Sequence, residues 1–196
     1  MNNIKQSIFT VFPKHILCLD NVCLEDLDIF NLAVHKLMEQ DGTYTNNLLN
    51  VKSTHRTNSN LHKYEEFQSL VKVIEQATIQ FGNILGYDGE TCFRMFIGNM
   101  WANLNDQGGY NFPHIHSGSI LSGVFYVKTP PENQLVFFED FSSVHTATER
   151  YGEGYDFKSF SCYPGRLLMF KSDLIHAAPP QKNTGEKIAI SFNIVR

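Results

Sequence analysis

The apolar residues of this chain keep one period up to about residue 90 and another beyond it, and that switch limits the possible folds more than any other feature. Leu27, Phe30, Val34, Leu37 and Met38 recur at helical spacing before Asp41-Gly42, so an amphipathic helix is predicted over residues 24–40. A longer one is predicted over residues 61–85, where Phe67, Leu70, Val71, Ile74, Ala77, Phe81 and Leu85 keep one face until Gly86. Further on, Phe93, Met95, Ile97, Asn99, Trp101 and Asn103 occupy alternate positions, as one face of a strand does. Strand-like runs follow at residues 120–127, 135–138, 157–163, 167–170 and 188–195, punctuated by Gly108-Gly109, Pro130-Pro131, Pro164-Gly165 and Pro179-Pro180. Two helices and then many short strands make an α+β chain, mainly β, whose second half is a jelly-roll-like sandwich or barrel. Residues 42–60, rich in Asn, Thr and Ser, read as a long loop, either a plain solvated connection or a flap on the substrate side.

At 196 residues, with no internal repeat and no Pro- or Ser-rich linker, the chain is expected to form one domain, residues 1–196, with one active site. A hydrophobic fraction of 42% against 18% charged residues gives no case for disorder. The net charge of −4 and the absence of a Lys/Arg cluster argue against nucleic acid as a partner. The apolar run from Ser7 to Phe12 is cut by Pro13 and Lys14, too short for a signal-peptide core or a membrane span, so a soluble, cytoplasmic protein without a membrane partner is expected. Cys18, Cys23, Cys92 and Cys162 form no CxxC pair and are expected to be reduced, buried thiols.

Candidate chemistry concentrates in histidines of the second half. In Pro113-His114-Ile115-His116, residues two apart on an extended chain point to one side, so both imidazoles can face one point while Ile115 turns away into packing. His-x-His alone is a weak metal signal and needs a third ligand from elsewhere. His176 is the candidate, at the end of an apolar strand and a bend that begin at Pro164-Gly165 and are followed by Pro179-Pro180. His145, in Ser142-Ser143-Val144-His145-Thr146, reads as a loop residue. No GxGxxG, P-loop, nucleophile elbow or HExxH occurs, so dinucleotide binding, phosphoryl transfer and zinc proteolysis lack motif support.

The string G-x-L-L-x-F-x-S-x-L-x-H-x-x-x-P from Gly165 to Pro180 is similar to the distal-histidine segment of 2-oxoglutarate/Fe(II) oxygenases, and residues 187–193, KIAISFN, look like their final strand. Trp101-Ala102-Asn103, His114-Ile115-His116 and residues 122–127, SGVFYV, complete a pattern that resembles a group of such oxygenases from bacteria and phages, and more distantly the prolyl hydroxylases. The resemblance covers residues 93–196 with motifs. It implies a double-stranded β-helix supported by two N-terminal helices, with Fe(II) held by His114, His116 and His176. It also implies 2-oxoglutarate as cosubstrate, with ascorbate as a reductant, and hydroxylation of a peptide side chain such as proline or of a small metabolite. Lys187 is then the cation for the far carboxylate of the cosubstrate, Tyr126 its hydroxyl partner, and Ser191 and Asn103 weaker members of the same pocket. Trp101, Tyr110 and Phe112 are expected to face the substrate.

Two departures stand out. His116 occupies the place where most relatives have Asp or Glu, which leaves an Fe(II) site one negative charge short, and Asp106, Glu139, Asp140 or Asp173 are the carboxylates that could replace it. Lys187 stands where Arg is usual, giving a point charge in place of a planar fork. Two other readings remain open at this stage: a cupin-like trihistidine metal enzyme that does not use 2-oxoglutarate, and a non-catalytic jelly-roll binding module.

Overall fold

The structure, a computed structural model, describes residues 13–40, 44–46, 50–139 and 157–196. His145 and Asp140 lie outside these residues. Among the described residues, strand β1 (Ile16–Leu19) and helix α1 (Leu27–Gln40) come first, β2 (Tyr44–Asn46) and β3 (Val51–Ser53) lead to α2 (Gln68–Ile84) and α3 (Gly89–Phe93), and eight strands follow. These are β4 (Phe96–Asn105), β5 (Asn111–His114), β6 (Leu121–Lys128), β7 (Gln134–Phe138), β8 (Phe157–Ser161), β9 (Leu167–Lys171), β10 (His176–Ala178) and β11 (Lys187–Val195). They form two antiparallel sheets, a larger one in the order β1-β9-β6-β11-β4-β3-β2 and a smaller one in the order β5-β10-β7-β8. This is a double-stranded β-helix carrying two long helices on one face. Among the described residues no helix is long and apolar enough to cross a membrane.

The period-2 alternation of the central strands builds two separate layers. Met100, Ala102 and Leu104 of β4, Ile188, Ile190, Phe192 and Ile194 of β11, and Leu121, Phe125 and Val127 of β6 share one core with Phe30, Val34 and Leu37 of α1 and Leu70, Ile74, Ala77 and Phe81 of α2. Phe30 anchors it, stacking on Phe67 at 5.6 Å and meeting Phe125 edge-on at 5.9 Å, contacts that add about 1 kcal/mol each to the burial of the rings. The opposite faces of β6 and β9, with Val124, Tyr126, Leu168 and Phe170, pack against Leu135 and Phe137 of the smaller sheet. The opposite faces of β4 and β11 instead carry Asn99, Trp101, Asn103 and Asn105, and Lys187, Ala189, Ser191 and Asn193, around a cavity between the sheets. Gly123 permits the close packing of β6 beside β11, since a Cβ there would sit 2.2 Å from the Phe192 ring and 2.7 Å from the Leu168 carbonyl.

Several expected boundaries move. The helix predicted over residues 61–85 starts as two 3-10 turns, Leu61–Lys63 and Glu65–Phe67, separated by an extended Tyr64. Gln68 caps this break, its Nε2 donating to the carbonyls of His62 and Tyr64 at 2.9 and 3.0 Å. Phe93 ends the short helix α3, whose N-terminus Asp88 caps by accepting from the Thr91 N–H at 2.7 Å, so β4 begins only at Phe96. The segment 42–60 is not merely a loop: β3 pairs with β4, Val51 opposite Asn105 and Ser53 opposite Asn103, and walls the cavity. Strands of three or four residues such as β1, β3, β5 and β10 are too short for alternation to reveal.

Candidate functional site

The cavity, about 550 Å³, opens beside His55, Arg56, His114, Ile115 and Ser117, all exposed, and reaches inward to the buried Tyr126 and Lys187. No aspartate or glutamate lines it among the described residues. Its three central histidines come from separate places in the fold. His114 ends β5 and His176 begins β10, and the two are direct cross-strand partners. His116 lies just beyond β5, where the chain leaves the smaller sheet, and its N–H donates to the carbonyl of Ser172 at 2.9 Å. The three rings lie 4.3 to 5.1 Å apart between centroids, and their ligand atoms all fall within 4.8 Å of one another. Ile115, expected to turn into packing, is 47% exposed at the mouth of the cavity.

Hydrogen bonding fixes which nitrogen each ring presents. Nδ1 of His114 lies 2.7 Å from the Phe112 carbonyl and Nδ1 of His176 lies 2.9 Å from the Leu174 carbonyl. A carbonyl only accepts, so both Nδ1 atoms carry the proton and both Nε2 atoms keep a lone pair. Nδ1 of His116 meets Asn193 Oδ1 at 2.6 Å, with the same consequence. Burial pushes the imidazolium form of His176 down to about 3, helped by the neighbouring His114, and burial likewise lowers His116. Burial thus disfavours the charged form of both His176 and His116.

Trp101, on β4, stacks on His116 at 5.8 Å and meets His55 at a tilt at 4.5 Å. Tyr110 and Phe112 do not line the cavity; their rings meet edge-to-face at 5.0 Å and Phe112 is 61% exposed, contributing its carbonyl to His114 in place of a substrate-facing ring. Asn103 and Ser191 line the cavity, Asn103 Nδ2 donating to Ser191 Oγ at 3.2 Å, while Ser53 Oγ donates to Asn103 Oδ1 at 2.7 Å. The Tyr126 hydroxyl lies beside the Cys162 thiol, and burial holds its ionisation far above the ordinary range. Lys187 is 4% exposed, burial lowers its pKa, and its ammonium has no hydrogen-bond or ion-pair partner among the described residues. Directly across the β4–β11 pair stands Asn105, 1% exposed, whose Nδ2 donor is also unpaired.

Of the carboxylates considered as replacements for His116, Asp106, Glu139 and Asp173 are exposed and none joins the histidine cluster, while Lys171 pairs with Asp173 at 3.3 Å. Sequence reasoning missed Asn105, Asn193 and His55. The first two carry a signal: amides on the inward face of strands whose other face is wholly apolar.

Residues 99–193 match a protein family described as "Putative 2OG-Fe(II) oxygenase". The match spans 95 of the 196 residues, and over that span the chain is similar to the 2OG-Fe(II) oxygenases. No curated protein matches the chain in sequence. Solved oxygenase structures share its fold at low identity. A prolyl-4-hydroxylase from Pseudomonas putida superposes with a TM-score of 0.65 at 11% identity, covering 93% of this chain and 94% of its own. The viral collagen prolyl hydroxylase from Paramecium Bursaria Chlorella virus-1, solved as a 2OG complex, gives 0.58 at 16% identity over 92% and 95%. HygX from Streptomyces hygroscopicus, with nickel, 2-oxoglutarate and hygromycin B bound, gives 0.59 at 9% identity over 93% and 83%.

Proposed function

We propose that this oxygenase, folded as a single domain, uses Fe(II) and 2-oxoglutarate to hydroxylate an unactivated C–H bond, with His114, His116 and His176 as the metal ligands. The observation that carries the reading is the pairing of opposite polarities in one cavity. Three Nε2 lone pairs converge near its mouth, and from the far side it is faced by Lys187, 4% exposed, and by Asn105 Nδ2, a buried donor without a partner. Imidazole nitrogens suit a first-row divalent ion, and three protein ligands on one side leave the other side open. An unpaired buried cation is costly, and a bound carboxylate would satisfy it. A reading without 2-oxoglutarate leaves both donors without a purpose.

Bound Fe(II) and 2-oxoglutarate would supply the oxidising chemistry, with succinate and CO2 released as the substrate is hydroxylated. The chain supplies position and dryness. Lys187 and Asn105 hold the far carboxylate of the cosubstrate, and Asn103 and Ser191 line the wall it passes. Tyr126, with its hydroxyl turned to Cys162, closes the inner end with its ring and helps to exclude water. Ala189, the small residue between Lys187 and Ser191 on the inward face of β11, leaves room for the carbon chain. Trp101 and His55 form the aromatic side of the mouth, where a small molecule or a peptide side chain would enter. Asn99 Oδ1, a buried acceptor without a partner on the same wall, is the group for a donor on that substrate.

The test is turnover. Protein loaded anaerobically with Fe(II), then given oxygen, ascorbate, 2-oxoglutarate and a fractionated cell extract, is expected to release succinate well above the level of a His176→Ala control. Succinate no higher than in that control would overturn the reading.

A further inference from the structure

His114 and His176 each find the acceptor for their Nδ1 proton two residues earlier on their own strand, so their tautomers come with the local backbone. His116 has no such carbonyl. Its acceptor is a side chain from β11, Asn193 Oδ1 at 2.6 Å, 77 residues away in sequence. A neutral imidazole can carry its proton on either nitrogen, and only the Nδ1–H form leaves Nε2 able to bind a cation. The acceptor therefore decides whether His116 is a ligand or a donor.

We propose that Asn193 is a positioning residue that makes His116 a metal ligand, by accepting its Nδ1 proton within a closed ring of buried hydrogen bonds. The Ser122 hydroxyl donates to the same Asn193 Oδ1 at 2.8 Å, which turns the amide oxygen, and not its NH2, toward His116. Ser122 has then spent its proton, so at their 2.7 Å contact the Ser172 hydroxyl donates to it. The Ser172 carbonyl closes the ring by accepting the backbone N–H of His116 at 2.9 Å. Ser122, Ser172 and Asn193 are all buried, at 0%, 2% and 7% exposure. Filling this space with aliphatic side chains would avoid the cost of desolvating three polar groups, so packing alone does not account for them. Orientation of a metal-ligating histidine through its second nitrogen does, and such partners commonly change metal affinity by about 10- to 100-fold. A carboxylate ligand at this position would need no tautomer chosen for it; a histidine does.

The inference rests on the reading of His116 as a ligand, and two separate readouts keep their failures apart. The first is the tautomer, read from the side-chain 15N shifts of His116 in metal-free protein at pH 8. Wild type is expected to show the Nδ1–H form, and Asn193→Ala a population with the proton on Nε2. The second is Mn(II) affinity by calorimetry, expected to fall about 10- to 100-fold in Asn193→Ala and to be held or raised in Asn193→Asp, which keeps an acceptor and adds a charge. Asn193→Ala with an unchanged His116 tautomer and Mn(II) affinity within about twofold of wild type would overturn the proposal. Should the alanine variant not fold, Asn193→Leu takes its place under the same criteria. Mn(II) binding unaffected by His116→Ala would overturn the ligand reading itself while leaving the tautomer result to stand alone.

Discussion

The two ends of the cavity are built in opposite ways. At the mouth every Nδ1 of the three histidines is already hydrogen-bonded, and the groups left free are lone pairs. At the inner end the groups are donors, the buried Lys187 and the Asn105 amide, whose Nδ2 has no acceptor among the described residues. One end has its polar atoms arranged for a cation and the other for an anion, and the inward faces of β4 and β11 join them. Because no carboxylate lines the cavity between the two, neither end is neutralised by the protein's described residues. A metal ion would leave the whole cavity positively charged, and a dianion that reaches from one end to the other is the complement.

The largest effect is expected from breaking the cation end. His176→Ala should lower Mn(II) affinity at least about 100-fold, since loss of a ligand exceeds loss of a ligand's hydrogen-bond partner; calorimetry checks it. Next comes the anion end, where Lys187→Ala should weaken 2-oxoglutarate binding to the Mn(II) protein about 100-fold through the loss of a buried charge-assisted contact. Mn(II) affinity should not change in that variant, and a fall in both would show that the ends are not independent. Asn105→Ala removes a neutral donor and should cost about tenfold in 2-oxoglutarate affinity.

A pH series sharpens the same contrast. Burial lowers the Lys187 pKa, so the ammonium is fully present only below that lowered value. Affinity for 2-oxoglutarate should therefore fall as pH rises through it, with the bound anion holding the proton on. Lys187→Ala should flatten this dependence, measured by calorimetry across pH 6 to about 9.5, below the ordinary lysine value.

How much of this was legible in the sequence follows from the length scale of each signal. Helix α1 was readable because five buried apolar residues recur at helical spacing, and strands β6, β9 and β11 because each packs four or more apolar residues into a short span. The three histidines were readable from spacing and from a strand that leads to His176. Three-residue strands such as β3 and β10 were not, because they carry too few residues for a period. Their positions come from pairing with β4 and β7. Asn105 and Asn193 were hidden for another reason. An asparagine in a strand is uninformative until the register shows what it opposes, and here it opposes Lys187 in one case and meets His116 in the other. Tyr110 and Phe112, expected to face the substrate, instead meet each other edge-to-face and stay off the cavity wall.

The most direct test is a crystal structure of the protein grown anaerobically with Mn(II) and 2-oxoglutarate, with anomalous data at the manganese edge. One metal is expected about 2.1 Å from the Nε2 atoms of His114, His116 and His176, with the far carboxylate of 2-oxoglutarate against Lys187 Nζ and Asn105 Nδ2. A metal held by a carboxylate in place of His116, or a 2-oxoglutarate whose far carboxylate lies away from Lys187, would contradict this expectation.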